Sequence, residues 1–429
     1  MNILVITPEL PWPPETGGKA SQFACLRALR NDHSFRIVVT RANPQLDSLA
    51  SALEAELPHV RVIRDPSSRN LMHQETRARP WRDRIVVRLR RILRAWRSER
   101  GQEPQQSREC IRPYYPFVPL SSESLQAISA HVDWADLLQG EFHESLYIAF
   151  LQTPNLPKVF ICHQAHGRFC QRFYDSLAAP EILAQTDTAA AAAMEIQCMS
   201  RFSHVITFTQ EDRDYLLNQD KTLPISVSPF PVPADCQIVS PAEVGTWTLN
   251  LIYIGSGMWY PNVQAVRWFC DHVYPLLRLR LPAEACRLNV IGNWPEPVRQ
   301  SFPDTQVHFR GFASEMAAAM SGNISINPVF TGAGLRTKLL AAAACSSPMV
   351  TTSIGCEGLG LHHGIHLLVA DAAEEFAAAI VSLIRNRPMA AQLAEHAFTH
   401  VMKTFGPEAV RIKRNQIYEQ VCQEFARHS

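Results

Sequence analysis

Three observations predict an α/β protein built as two Rossmann-like domains in tandem. Short continuous apolar runs alternate with helical stretches. That alternation starts twice, once at Asn2 and again near Leu249. A proline-rich stretch of little periodicity, residues 228–247, separates the two series. Apolar runs without polar alternation mark strands covered on both faces, as in a parallel sheet.

The first series opens with the strand Asn2–Thr7 (NILVIT), a Pro/Gly-rich loop and a helical pattern through Leu29. Phe35–Thr40 is the next strand, and Val60–Ile63 another after a helix over Leu46–Leu57. Ser121–Ala130 reads as helix, Leu137–Gln139 as a short strand and Phe142–Leu151 as helix. Lys158–Cys162 is a strand ending at His163, and an alanine-rich helix is expected over Pro180–Phe202. The strand His204–Thr209 and a helix from Glu211 close the series.

The second series holds strands at Leu249–Ile254, Arg287–Ile291, Val307–Phe309 and Ser325–Pro328, with helices at Asn262–Leu279 and Phe312–Met320 between them. A glycine loop, an Ala/Leu helix, the strand Met349–Ser353 and a glycine turn follow. Helices near Ala373–Arg385 and Met389–Thr404 and a last one from Pro407 end the chain. The expected units are residues 1–235, residues 236–405, and a C-terminal helix, 406–429, packing toward the first domain. Two facing domains bring both carboxyl strand edges to one cleft, and ligands of open α/β sheets bind at those edges.

The chain has 429 residues, of which 46% are apolar, so two full cores are affordable and global disorder is excluded. A net charge of +1 argues against a general nucleic-acid binder. Eleven scattered cysteines without a C-x-x-C support neither a metal site nor a disulfide framework, and fit a reducing compartment. The start MNILVITPELPWPP lacks the positive region of a signal peptide, and no apolar run approaches ~18 residues. The expectation is a cytoplasmic protein, at most peripheral to the inner face of a membrane. Between Arg77 and Arg100 ten arginines share a stretch with Ile85, Leu89, Leu93 and Trp96 at helical spacing. Such a helix can lie on an anionic membrane, or pack with a solvated arginine face.

The stretch 332–360 carries the strongest chemistry. Gly332 and Gly334 precede Arg336 and Lys338, which open a helix. A helix N-terminus offers unpaired N–H groups and a positive dipole end, and glycines let backbone approach a ligand. Two cations there serve an anion better than they serve the helix. Gly17 and Gly18 after the first strand could do the same or form an ordinary turn. His163 could orient a hydroxyl or be a satisfied half-buried histidine, and His166, Glu141 and His143 are weaker candidates of the same kind. Glu357, between glycines, could accept ligand hydroxyls or brace its turn.

These segments together resemble a retaining GT-B glycosyltransferase of family four, the glycosyl transferases group 1. IYIGSGMWYPNVQAVRWF at 252–269 and NPVFTGAGLRTKLL with PMVTTSIGCEGL are the most specific parts. HVITFTQEDRDYL, FRGF, the Gly17–Gly18 loop, and His163 with Arg168 and Arg172 beyond it extend the likeness over nearly the whole chain. The resemblance implies a nucleotide-sugar donor in the second domain and a glycan or lipid-linked acceptor against the first. Arg336 and Lys338 would hold the diphosphate, with Gly17, Gly18, Gly255, Gly332, Gly334 and Glu357 also donor-binding. His163 would touch the sugar or the acceptor. No metal and no cofactor are implied, and Asp212 and Asp214 read as helix-start acids. The departing phosphate would itself take the acceptor proton.

One departure stands out. The group carries two glutamates eight positions apart, and here Ala333 and Ala341 occupy those places. Ser346 replaces a usual glycine. An inactive glycosyltransferase-like binding protein is therefore the alternative. A 2-epimerase of the same fold would need a carboxylate pair that the sequence does not offer.

Overall fold

The computed structural model describes residues 1–64, 120–153, 155–176, 188–233, 238–244, 247–303, 306–311 and 316–428. The arginine-rich stretch 77–100 lies outside them.

Among the described residues the first domain holds seven strands: β1 (Asn2–Thr7), β2 (Ser34–Val39), β3 (Val60–Val62), β4 (Leu137–Glu141), β5 (Lys158–Cys162), β6 (His204–Thr207) and β7 (Ile225–Val227). They pair in parallel in the order β3-β2-β1-β4-β5-β6-β7. The second domain holds β8 (Leu251–Ile254), β9 (Leu288–Ile291), β10 (Val307–Gly311), β11 (Ile324–Asn327), β12 (Met349–Thr351) and β13 (Leu368–Val369). Their order is β10-β9-β8-β11-β12-β13, also parallel. In both sheets the chain reverses its winding direction beside the first strand. The switch points are the carboxyl ends of β1 and β4, and of β8 and β11.

Four helices bear on the site: α1 (Gly17–Ala28), α2 (His166–Ser176), α3 (Thr337–Ala344) and α4 (Pro407–His428). The terminal helix α4 lies along α1 and the first sheet. Arg411 pairs with Asp32 at 2.8 Å, and His33 meets Asn415 at 2.8 Å. Fully buried Arg414 donates to the Ser228 side chain and carbonyl, both at 3.1 Å. Among the described residues no helix is long and apolar enough to cross a membrane.

Some expected elements change form. The single helix expected over Asn262–Leu279 is Tyr260–Trp268, a π-helical turn Phe269–Val273, and Tyr274–Arg278. Pro275 has no N–H for the ladder, and the wider turn before it absorbs the mismatch. Phe142–Leu151 folds as a 3-10 helix over His143–Phe150, entered from Phe142 at φ 62°. The strands β7 and β13, of three and two residues, are too short for the pattern to reveal.

The helix α3 ends at Ala344 with Cys345 as its C-cap, just before Ser346, Ser347 and Pro348. Ser346 takes φ 53° where glycine is usual, and its N–H and that of Ser347 bond back to Ala343 and Ala342. Its hydroxyl donates to the Val239 carbonyl at 2.7 Å, which ties the inter-domain linker to α3.

Candidate functional site

Both switch points open on one cleft, and nearly every residue singled out from the sequence lies there. From the first domain come the Gly17–Gly18 start of α1, Glu141 at the end of β4 and His163 after β5. From the second come the Gly255 loop after β8 and the 332–336 loop that leads from β11 into α3. The two sides meet closely. A Cβ on Gly17 would lie 3.2 Å from Thr337 Oγ1, and one on Gly334 would lie 2.6 Å from the His163 carbonyl oxygen. Gly334 also has φ +74°, so both conformation and space require glycine there.

Arg336 is the N-cap of α3 rather than part of its first turn. Its Nη1 donates to the carbonyls of Ala333 at 2.6 Å and Gly334 at 3.1 Å. Its Nε and Nη2 are buried and have no partner among the described residues. Burial lowers its pKa to about 10, which leaves it charged near neutrality. A charged donor pair held out of water without an acceptor is costly unless an anion completes it.

Lys338 stands in the first turn. Its Nζ donates to Tyr253 OH and Asn262 Oδ1, each at 2.9 Å, and Tyr253 donates to the same Asn262 oxygen at 2.7 Å. Among the described residues no carboxylate shares this contact. Burial, with Arg336 nearby, pushes Lys338 down to about 7. Gly255 sits beside this group: Trp294 donates to its carbonyl at 2.7 Å, and a Cβ on it would strike the Asn262 side chain.

His163 is held on every side. Its Nε2 meets Glu141 Oε2 at 2.7 Å, and Nδ1 meets Ser21 Oγ at 3.4 Å. Phe142 stacks on the ring at 3.8 Å, and Phe208 packs edge-on at 4.8 Å. Ser21 donates onward to the Gly18 carbonyl at 2.7 Å. Behind Glu141 a buried chain continues through Gln139, at 2.7 Å, to Tyr418 of α4 at 2.5 Å. The C-terminal helix is thereby wired to His163 and the Gly18 loop.

Glu357 reaches across the cleft. It accepts from Arg172 at 2.5 and 3.1 Å and also from Arg168. Partial burial opposes its charge, but Arg172 and Arg168 more than offset this and hold its pKa below the usual range. Arg168 also pairs at 3.0 Å with Asp212, which is fully buried at the start of its helix. Asp214 is exposed beside Arg213 and Gln210.

His143 and His166, the first residue of α2, lie apart from this cleft group. Glu195 is fully buried and accepts from His143 Nε2 at 2.7 Å and from the N–H groups of His166 at 2.9 Å and Gly167 at 3.1 Å. Cys162 completes a buried cluster whose ligand-type atoms lie within 4.8 Å of one another. Burial disfavours the Glu195 charge, yet these hydrogen bonds win and keep its pKa low. Glu195 thus caps the helix that carries Arg168 and Arg172. Glu195→Ala is expected to cost about 3–5 kcal/mol, because it strands buried donors. A thermal melt of the purified variant checks this; a change of under about 1 kcal/mol would contradict the capping role.

Ala333 and Ala341 are 5% and 8% exposed, and Ala341 sits one turn beyond Lys338 on α3. The residues missed from the sequence are Tyr253, Phe142, Ser21, Gln139 and Tyr418. Only Tyr253 left a local sign, as a polar tip inside the buried run LIYI.

Residues 248–386 match the family described as Glycosyl transferases group 1. An uncharacterized 44.6 kDa protein in the cps region of Klebsiella pneumoniae is 25% identical over 229 residues, 49% of this chain and 58% of that one. The match thus spans little more than half the length of that curated relative. Among solved structures, Anabaena Alr3699/HepE in complex with UDP and glucose has a TM-score of 0.63 at 12% identity, over 98% of this chain and 100% of that chain. An S. aureus TarM variant in complex with Fondaparinux, alpha-GlcNAc-glycerol and UDP has 0.65 at 10%, over 97% and 99%. Sucrose-phosphate synthase from Thermosynechococcus elongatus has 0.62 at 14%, over 98% and 99%. The fold is GT-B, and the match to the group 1 glycosyltransferase model lies within the second domain, where the motifs lead one to expect it.

Proposed function

We propose that this chain, with its GT-B fold and group 1 second domain, moves a sugar from a nucleotide-diphosphate donor to a glycan or lipid-linked acceptor. The observation that carries this reading is Arg336: two buried guanidinium nitrogens without a partner among the described residues, at the second domain's switch point and two positions before Lys338. A diphosphate supplies the missing acceptors. The HepE and TarM structures are described with UDP, and the Klebsiella relative lies in a cps region, which favours polysaccharide or glycoconjugate synthesis as the setting.

The proposed transfer proceeds with retention and without a metal. The bond from the sugar's anomeric carbon to the diphosphate oxygen breaks, and its electron pair stays on the diphosphate. The acceptor oxygen bonds to the same face of that carbon, and its proton passes to the departing oxygen. Arg336 and Lys338 stabilise the charge that develops there. Three carboxylates of the cleft are already paired, which supports the assignment of the base to the leaving group. Glu357, Glu141 and Asp212 are each engaged, with Arg168 and Arg172, with His163 and Gln139, and with Arg168. His163 then orients the Gly18 loop, and its carbonyl edge faces Gly334.

Incubation with UDP-, GDP- and dTDP-sugars tests the reading. Transfer or donor hydrolysis is expected with one of them; no transfer, no hydrolysis and no thermal shift with any would overturn it. Ala341→Glu restores the group's usual acid. It is expected to tighten donor binding by about tenfold by calorimetry, the value of one charged hydrogen bond at the low end of its range. Weaker binding would mean that the helix is fitted to alanine.

A further inference from the structure

We propose that Arg172, on the first domain's helix α2, is a direct ligand of the donor diphosphate, and that Glu357 is its internal counter-ion, which the diphosphate displaces. This rests on the nucleotide-sugar reading above and extends it across the cleft.

Three observations support it. Arg172 ends on the glycine loop itself, where its Nη1 donates to the Gly332 carbonyl at 3.2 Å. A Cβ on the same Gly332 would lie 2.9 Å from Arg336 Nη2, so guanidiniums from both domains flank one glycine. Arg336 Nη2, beside this place, and Nε behind it have no partner among the described residues.

The charges agree in sign. Arg168, Arg172 and Arg336 act on Glu357 and Asp212, Glu211 also acts on Arg172, and Lys338 stands behind Arg336 without an acid of its own, so the cations outnumber the acids where an anionic diphosphate would lie. The side chains of Arg172 and Glu357 keep 28% and 18% exposure, so a solute can reach the pair. A phosphate that accepts from both guanidiniums offers Arg172 charge-assisted hydrogen bonds of the same kind as those it exchanges with Glu357.

Glu357 is then no ligand of the donor, although the sequence alone suggests that it is. Neutralising it frees Arg172 without removing a donor contact.

Calorimetric titration of the full chain with UDP and with uridine tests this. Arg172→Ala is expected to weaken UDP about 10- to 100-fold and to leave uridine unchanged, with Arg172→Lys intermediate. Glu357→Gln is expected to tighten UDP several-fold and to steepen its salt dependence, because no internal ion pair then offsets the screened attraction. Unchanged UDP affinity in a folded Arg172→Ala protein overturns the assignment, as does weaker UDP binding in Glu357→Gln. A loss confined to KM for a phosphate-bearing acceptor, at constant UDP affinity, overturns it too. If the unaltered chain binds no UDP, GDP or dTDP, the glycosyltransferase reading itself falls, and this assignment with it.

Discussion

Arg336→Ala is expected to lower kcat/KM for the nucleotide-sugar about a thousandfold. One edge of the guanidinium is fixed by the Ala333 and Gly334 carbonyls, so the unpartnered Nε and Nη2 are presented rigidly. Two charged hydrogen bonds to the diphosphate are worth about 1.5–3 kcal/mol each. Together they span roughly 10²- to 10⁴-fold. The leaving diphosphate gains charge as the glycosidic bond breaks, so part of this energy is realised only in the transition state. The loss should therefore fall on kcat as well as on UDP affinity. Arg336→Lys should recover little, because an ammonium cannot hold two backbone carbonyls and offer two N–H groups in fixed directions. Donor kinetics with a matched UDP titration check this. A loss below tenfold would mean that Arg336 serves the loop alone.

The parts of this molecule that the sequence reveals are those governed by local physics. The run NILVIT could only be a strand covered on both faces, and its burial is complete from Ile3 onward. Arg336 and Lys338 were legible because two cations at a helix start, behind two glycines, serve the helix badly and an anion well. Contacts set by tertiary placement were not legible. Glu357 stands 185 residues from Arg172, and nothing near either residue signals the pair. Phe142 takes a left-handed conformation unusual for an aromatic residue and lays its ring on His163. The sequence shows a histidine at a strand end but not that both its ring nitrogens are occupied by Glu141 and Ser21. Pattern reading also placed Arg336 inside its helix, one position too far, because an N-cap shares the spacing of the first turn.

Donor affinity is expected to fall about tenfold for each pH unit above 7. Lys338 sits near 7 because burial and Arg336 penalise its charge, and Tyr253 and Asn262 offer it no counter-charge. Below pH 7 the free protein already carries the ammonium, and binding takes up no proton. Above 7 the amine is neutral in the free protein, while a bound diphosphate raises its pKa toward the ordinary lysine range. Binding must then draw one proton from solution, and each pH unit costs about 1.4 kcal/mol until the pKa of the complex is passed. The sugar-linked diphosphate has no proton to lose in this range, so the effect belongs to the protein. Titration in buffers of different ionisation enthalpy should show nearly one proton taken up at pH 8 and almost none at pH 6. Lys338→Gln should bind more weakly at pH 6 and lose the pH dependence. An affinity constant from pH 6 to 8.5, with no proton exchanged, would remove Lys338 from the diphosphate site. That result would leave Arg336, and Arg172 across the cleft, to carry the anion.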